Sequence, residues 1–101
     1  TFQQIVSAIN IGIVKQKSRL SYHGFCIGVS DGGEREICRL HNLSKGTDWY
    51  IVLPTDSGVT AFDVVRYFTL LGMSSYIPKD LHPCETSLSV YCYEITMHSR
   101  E

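Results

Sequence analysis

An excess of charge of either sign is missing from this sequence. Nine Lys and Arg stand against ten Asp and Glu across 101 residues, a net charge of −1 with a pI of about 6.4. Proteins that bind nucleic acid through their overall electrostatics carry a basic surplus, so the global balance speaks against that class. No apolar run approaches the ~18 residues that would suggest a membrane span, so no membrane partner is expected. The N-terminus shows no charged segment followed by an apolar stretch, and no signal peptide is read there. Thr1 in place of an initiating Met reads as an excised domain or a processed product.

Cysteine is present but not in a pattern. Cys26, Cys38, Cys84 and Cys92 contain no C-x-x-C pair, which leaves a zinc knuckle or a dithiol redox motif unsupported. Four cysteines also fall short of a disulfide-dense scaffold, and this usage points to a reducing, intracellular compartment such as the cytoplasm. A glycine-rich phosphate loop and a nucleophile elbow are both missing. No metal ligand set and no cofactor is implied, and the chain reads as more akin to a binding module than to an enzyme.

What remains is an ordinary globular composition, 44% apolar and 19% charged, of a length that suits a single domain over residues 1–101. Phe2, Ile5, Val6, Ile9 and Ile13 follow helical spacing, with Thr1 as an N-cap and Gly12 as a stop, predicting a helix over about 2–11. Residues 20–29 read as a strand. Ser30-Asp31-Gly32-Gly33 has the chemistry of a hairpin turn and predicts a returning strand over 35–40, its even loop setting Cys38 and Leu40 beside Phe25 and Ile27. Residues 42–48 form a second turn. Trp49 to Leu53 is apolar at every position, as in a central strand buried on both faces. Thr60 and Asp63 have capping-box spacing, and a helix is expected over 61–71 with Gly72 as its C-cap glycine. Residues 74–85 read as a loop. Alternation over 87–97 predicts a last strand with Tyr91 and Tyr93 on one face. The expected fold is α+β: an antiparallel sheet of about four strands, a meander plus the C-terminal strand, packed against two helices in the order α-β-β-β-α-β.

Four groups of residues carry functional expectations. On the helix over 61–71, Ala61, Val64, Val65, Tyr67, Phe68 and Leu71 make the core face. Phe62 and Leu70 fall on the other side, beside Arg66, and suggest a second packing surface. Tyr91 and Tyr93 join that surface if their strand face meets solvent, and are core if a helix covers it. Together these five residues predict a non-enzymatic protein-interaction or self-association module, with a protein partner or a homodimer as its complex. The alternative is single-stranded RNA binding through Lys15, Lys17, Arg19 and Tyr22, where cations adjoin an aromatic ring. His82 and Cys84 are the closest histidine and cysteine along the chain, too little by itself for a nucleophilic dyad.

Asp56-Ser57-Gly58, after the apolar strand, resembles the active-site turn of the aspartic proteases. In retroviral-type members of that family two such turns meet in a dimer, and the resemblance implies paired carboxylates activating a water. It covers only these three residues and the strand before them. The triplet here lies past the midpoint, follows Pro54-Thr55, and runs straight into a helix. Read from its own residues, it is a loop leading into a helix cap.

Overall fold

A computed structural model describes residues 1–81 and 88–100. The element order is α1 (Phe2–Lys17), β1 (Phe25–Ser30), α2 (Gly33–His41), β2 (Tyr50–Pro54), α3 (Gly58–Leu70), β3 (Ser74–Tyr76) and β4 (Ser89–Glu94). The strands form one sheet in the order β2-β4-β1-β3, with β1 parallel to β3 and antiparallel to β4. The α+β class stands. The sheet is mixed, the described helices number three, and the meander is replaced by a pairing of the first and last strands at the centre. His82 and Cys84 lie outside the described residues.

Each departure has a physical cause in the residues concerned and in what they pack against. Thr1 caps α1 as expected, in a full capping box with Gln4, but the helix runs on to Lys17 and ends at Ser18, in the left-handed region with φ 62°. Gly12 does not stop it. It lies against the Trp49 indole, where an added Cβ would come within 2.9 Å of Cζ2, so glycine serves close approach. The expected hairpin is a strand followed by α2. Glu34 and Glu36 occupy its first turn and Arg39 and His41 its last, an order that complements the helix dipole. Ile37 and His41, four residues apart, are its buried positions. That period, together with Cys38, outweighs the Asp-Gly turn signal.

Trp49 to Leu53 was expected to be central. β2 is instead an edge strand of intermediate burial, and Pro54 closes it at a position an edge tolerates. The cap of α3 is Ser57, whose Oγ accepts from the Thr60 N–H at 3.1 Å, so the capping box at Thr60 and Asp63 is not formed and the helix starts three residues earlier. Its end is as read. Gly72 has φ +116°, the Met73 N–H donates to Phe68 O and the Gly72 N–H to Thr69 O, the two bonds of a Schellman stop. The segment after it, expected to be loop, contributes the short edge strand β3.

The sheet divides the core in two. Phe25, Ile27 and Val29 of β1 with Val90 and Cys92 of β4 face α1 and α3, joined by Ile5, Ile9, Ile13, Ala61, Val64 and Phe68. On the other face Cys26, Tyr91 and Tyr93 pack beneath α2 with Ile37 and Leu43. Tyr91 and Tyr93 are therefore core, at 1% and 0% exposure. Gly28 is registered opposite Tyr91, and a Cβ there would sit 2.4 Å from Tyr91 Cζ. The ring lies over the glycine and brings its hydroxyl to 2.6 Å from His41 Nε2. Tyr93 Oη lies 3.0 Å from His41 Nδ1 and donates to Arg100 O at 3.1 Å. Residues 95–100 wrap this cluster. The Arg100 N–H donates to His41 O, and Asn42 Nδ2 to His98 O, both at 2.8 Å.

Gly28→Ala is expected to cost about 3 kcal/mol, the upper part of the range for overpacking a core. For a chain of this size that is a fall in Tm of roughly 12 °C or more. Adding Tyr91→Phe should not relieve it, since the ring edge at Cε2 also stands only 2.8 Å from the new methyl. Thermal unfolding by circular dichroism checks this, and an unchanged Tm would show that the ring does not cross the glycine.

Candidate functional site

α3 carries two faces that do not compete. Ala61, Val64, Val65 and Phe68 are buried and centre on one side of the helix. At about 100° per residue, Val59, Asp63, Arg66 and Leu70 fall within about 60° of arc on the opposite side. Leu70 is 81% exposed and Val59 56%. Tyr67 and Leu71, expected on the core face, are exposed at 38% and 43%. Tyr67 sits instead on the flank towards α1, where Phe2 meets its ring edge-on at 5.6 Å.

Grooves border this ridge on both sides. One, of about 420 Å³, runs between α3 and the sheet edge and is lined by Phe62, Arg66, Thr69, Leu70, Ser75 and Ile77. The other, of about 350 Å³, lies towards α1 and is lined by Phe2, Asp63, Arg66, Tyr67 and Leu70. The outer wall of the first is β3, which among the described residues pairs with β1 on one side only and is an edge of the kind that accepts a further chain. Asp63 and Arg66 stand on the ridge itself, 3.6 Å apart and both well exposed, a pairing that contributes little to stability.

The structure thus gathers Phe62, Arg66 and Leu70 on one surface and sets Tyr91 and Tyr93 apart, beneath α2. Val59, Phe2 and Ile77 also belong to the surface and were not singled out from sequence. Val59 was legible in principle, at helical spacing from Asp63, Arg66 and Leu70, but it fell before the expected helix start. Phe2 and Ile77 reach the patch only through tertiary packing.

The residues of the nucleic-acid alternative are differently placed. Lys15 and Lys17 form the last turn of α1 rather than a connector. Lys17 is bound to Glu94. Tyr22 is half-buried, packs against Phe68 with ring centroids 5.6 Å apart, and donates its hydroxyl to Asn10 Oδ1 at 3.0 Å. Lys15 and Arg19 are exposed, and the surface beside Lys15 is apolar, with Ile11, Val14 and Leu20.

Most displaced titrations have a structural cause away from α3; the exception is Tyr22, raised by burial and then by Tyr67 against the lowering effect of its bond to Asn10. A hydrogen bond from His98, with one from the Ser44 N–H, holds the Asp48 carboxyl below its usual range. Burial acts to raise Glu94, but hydrogen bonds from Lys17 and Gln16 and the Lys17 charge outweigh it, and its pKa is lowered. The Tyr50 hydroxyl, donating to Glu34 at 2.6 Å, is raised by that bond and then by burial. Burial raises Tyr91 and Cys92. Asp56 is exposed on the turn that precedes the Ser57 cap, which agrees with the cap reading of the Asp56-Ser57-Gly58 triplet. Cys26, Cys38 and Cys92 carry thiols. Among the described residues no three His, Cys, Asp or Glu side chains converge as metal ligands would, and no helix is long and apolar enough to cross a membrane.

The Asp48 contact makes a pH prediction. A carboxyl whose folded pKa is lowered stabilises the fold above its unfolded value, about 3.9, and loses that contribution as pH falls through the folded pKa. Wild type should therefore exceed Asp48→Asn in urea midpoint at pH 7, and the gap should close below about pH 4. A gap of constant size from pH 7 to 2 would show that the ionised Asp48 carboxyl, bonded to His98 and the Ser44 N–H, does not stabilise the fold. No family model, curated protein or solved structure matches this chain.

Proposed function

We propose that this chain is a non-enzymatic interaction module whose binding face is the outer side of α3 with the groove that separates it from β3. One observation carries the reading. α3 satisfies its core with one face and still presents Val59 and Leu70 on the other, with Tyr67 exposed on its flank, and the partly buried Phe62 lines a groove of about 420 Å³ beside it. Single exposed apolar residues are ordinary. A set of them along one helix, with the Asp63 and Arg66 pair at its middle, is a surface of the kind that protein contacts use. Burying it against a partner would remove apolar area from water at about 25 cal/mol per Å².

The RNA-binding alternative has less to support it. With Lys17 held by Glu94 and Tyr22 tied to Asn10, Lys15 and Arg19 are left as the open cations of the segment, without a ring to stack a base.

Leu70→Ser should leave Tm within a few degrees of wild type, because substitutions at exposed sites stay within about 0.5 kcal/mol. A photo-crosslinking residue at position 70 should then form protein adducts in cell extract, while one at Arg35, exposed on α2 across the sheet, should not. Adduct mass separates a second copy from another protein. Equal yields at the two positions would remove α3 as the binding face.

A further inference from the structure

We infer that the occupant of the α3 face is a second copy of this chain, docked through α3 in an antiparallel, two-fold arrangement. The inference rests on the reading of that face given above and goes further by naming its partner and register. It comes from the order of side chains along the exposed ridge. From Val59 to Leu70 the ridge reads apolar, acidic, basic, apolar: Val59, Asp63, Arg66, Leu70. Aromatic rings flank it at Phe62 and Tyr67, one in each bordering groove. This pattern is symmetric about the point midway between Val64 and Val65, except that the charge changes sign across it.

A two-fold contact pairs each residue with its mirror position along an antiparallel helix. Centred at that point, it sets Val59 level with the second copy's Leu70, and Asp63 level with the second copy's Arg66. Each pairing occurs twice. On the flank, the second copy's Arg66 comes alongside Phe62, where a guanidinium can lie over the ring. The charges also exclude the neighbouring arrangements. A parallel pair would set Asp63 on Asp63 and Arg66 on Arg66. An antiparallel pair moved to centre on Arg66 brings two guanidiniums together, and one centred on Asp63 brings two carboxylates together. Opposed like charges disfavour those registers, as charges beside a coiled-coil seam do. The grooves on either side of the ridge supply the hollows into which a partner helix fits its own ridge.

A contact made mainly by one helix from each copy is at the small end of specific interfaces. Self-association should therefore be reversible and dependent on concentration. Sedimentation equilibrium on the whole chain tests it, from about 1 µM to about 1 mM. Wild type is expected to dimerise within that range. Asp63→Arg and Arg66→Asp should each weaken association about tenfold or more. An equimolar mixture of the two single variants should associate again, because every charge then meets its opposite. The double variant D63R/R66D should dimerise like wild type, since the exchange restores the pattern in reverse.

A wild type that stays monomeric to the top of the range overturns the inference, while adducts at position 70 with a different protein would keep α3 as a binding face. A dimer indifferent to both single substitutions places the contact elsewhere and also overturns it. So does a folded double variant that fails to recover. Should a charge variant lose its helical signal, Val59→Lys and Leu70→Glu pose the same question one turn further out. Each alone should weaken the dimer and the two together should restore it, and no recovery there overturns the proposed register.

Discussion

The missing side chain at Gly28 is the constraint from which the second face of the sheet is built. Two strands that meet at the centre of a sheet normally fill the space above each pair with two side chains. Here one of the two is hydrogen, and the Tyr91 ring occupies the vacated space by lying across the strand. Only so does its hydroxyl reach the His41 imidazole. His41 in turn is buried at the C-terminal end of α2 and is held from its other nitrogen by Arg100 O and Tyr93. One glycine thus determines where a tyrosine lies, the tyrosine and histidine together seat a helix, and residues 95–100 close over them.

That arrangement explains an imbalance between the two sides of the sheet. The face beneath α1 and α3 is held mainly by apolar packing, aliphatic side chains together with Phe25 and Phe68, which is tolerant in direction. The face beneath α2 has a short helix of nine residues and compensates with directional hydrogen bonds among His41, Tyr91, Tyr93 and the chain after β4. Such networks specify one geometry because each member is buried and needs its partner. The tyrosines expected as contact residues are buried and hydrogen-bonded to His41, whereas α3, on the other side of the sheet, exposes Val59 and Leu70.

How far the sequence was legible follows the same division. Periodicity over 61–71 and the glycine at 72 identified most of α3, its core residues Ala61, Val64, Val65 and Phe68, and its exposed Arg66 and Leu70, whereas Phe62 is partly buried against the core. Signals that act within a few residues were readable because their physics is local. The hairpin reading of 30–40 failed because Asp31-Gly32-Gly33 has turn chemistry equally suited to the entry of a helix. The deciding information, that Ile37 and His41 meet Tyr91 and Tyr93, lies some fifty residues away along the chain. Strand order failed for the same reason. Apolar character at every position of 49–53 reports contact with Phe25 and Gly12 around Trp49 and not a central place in the sheet. Tyr67 was misassigned because its angle on the helix is intermediate, and the choice between core and flank is made by Phe2.

The separation of duties within α3 bears on how a surface of this kind can be specific without being costly to the fold. Residues that face the core and residues that face outward differ by half a turn, so a change at Leu70 or Asp63 alters no buried contact. The Ser57 cap and the Schellman stop at Gly72 fix both ends of the helix, and the ridge between them is therefore presented rigidly. Rigidity lowers the ordering cost of association, which matters most where the contact is small. With few residues available, apolar area alone would tolerate many registers. One acid and one base, a single turn apart, are the least number of charges that can tell an antiparallel register from its neighbours, and this ridge carries that pair at its centre.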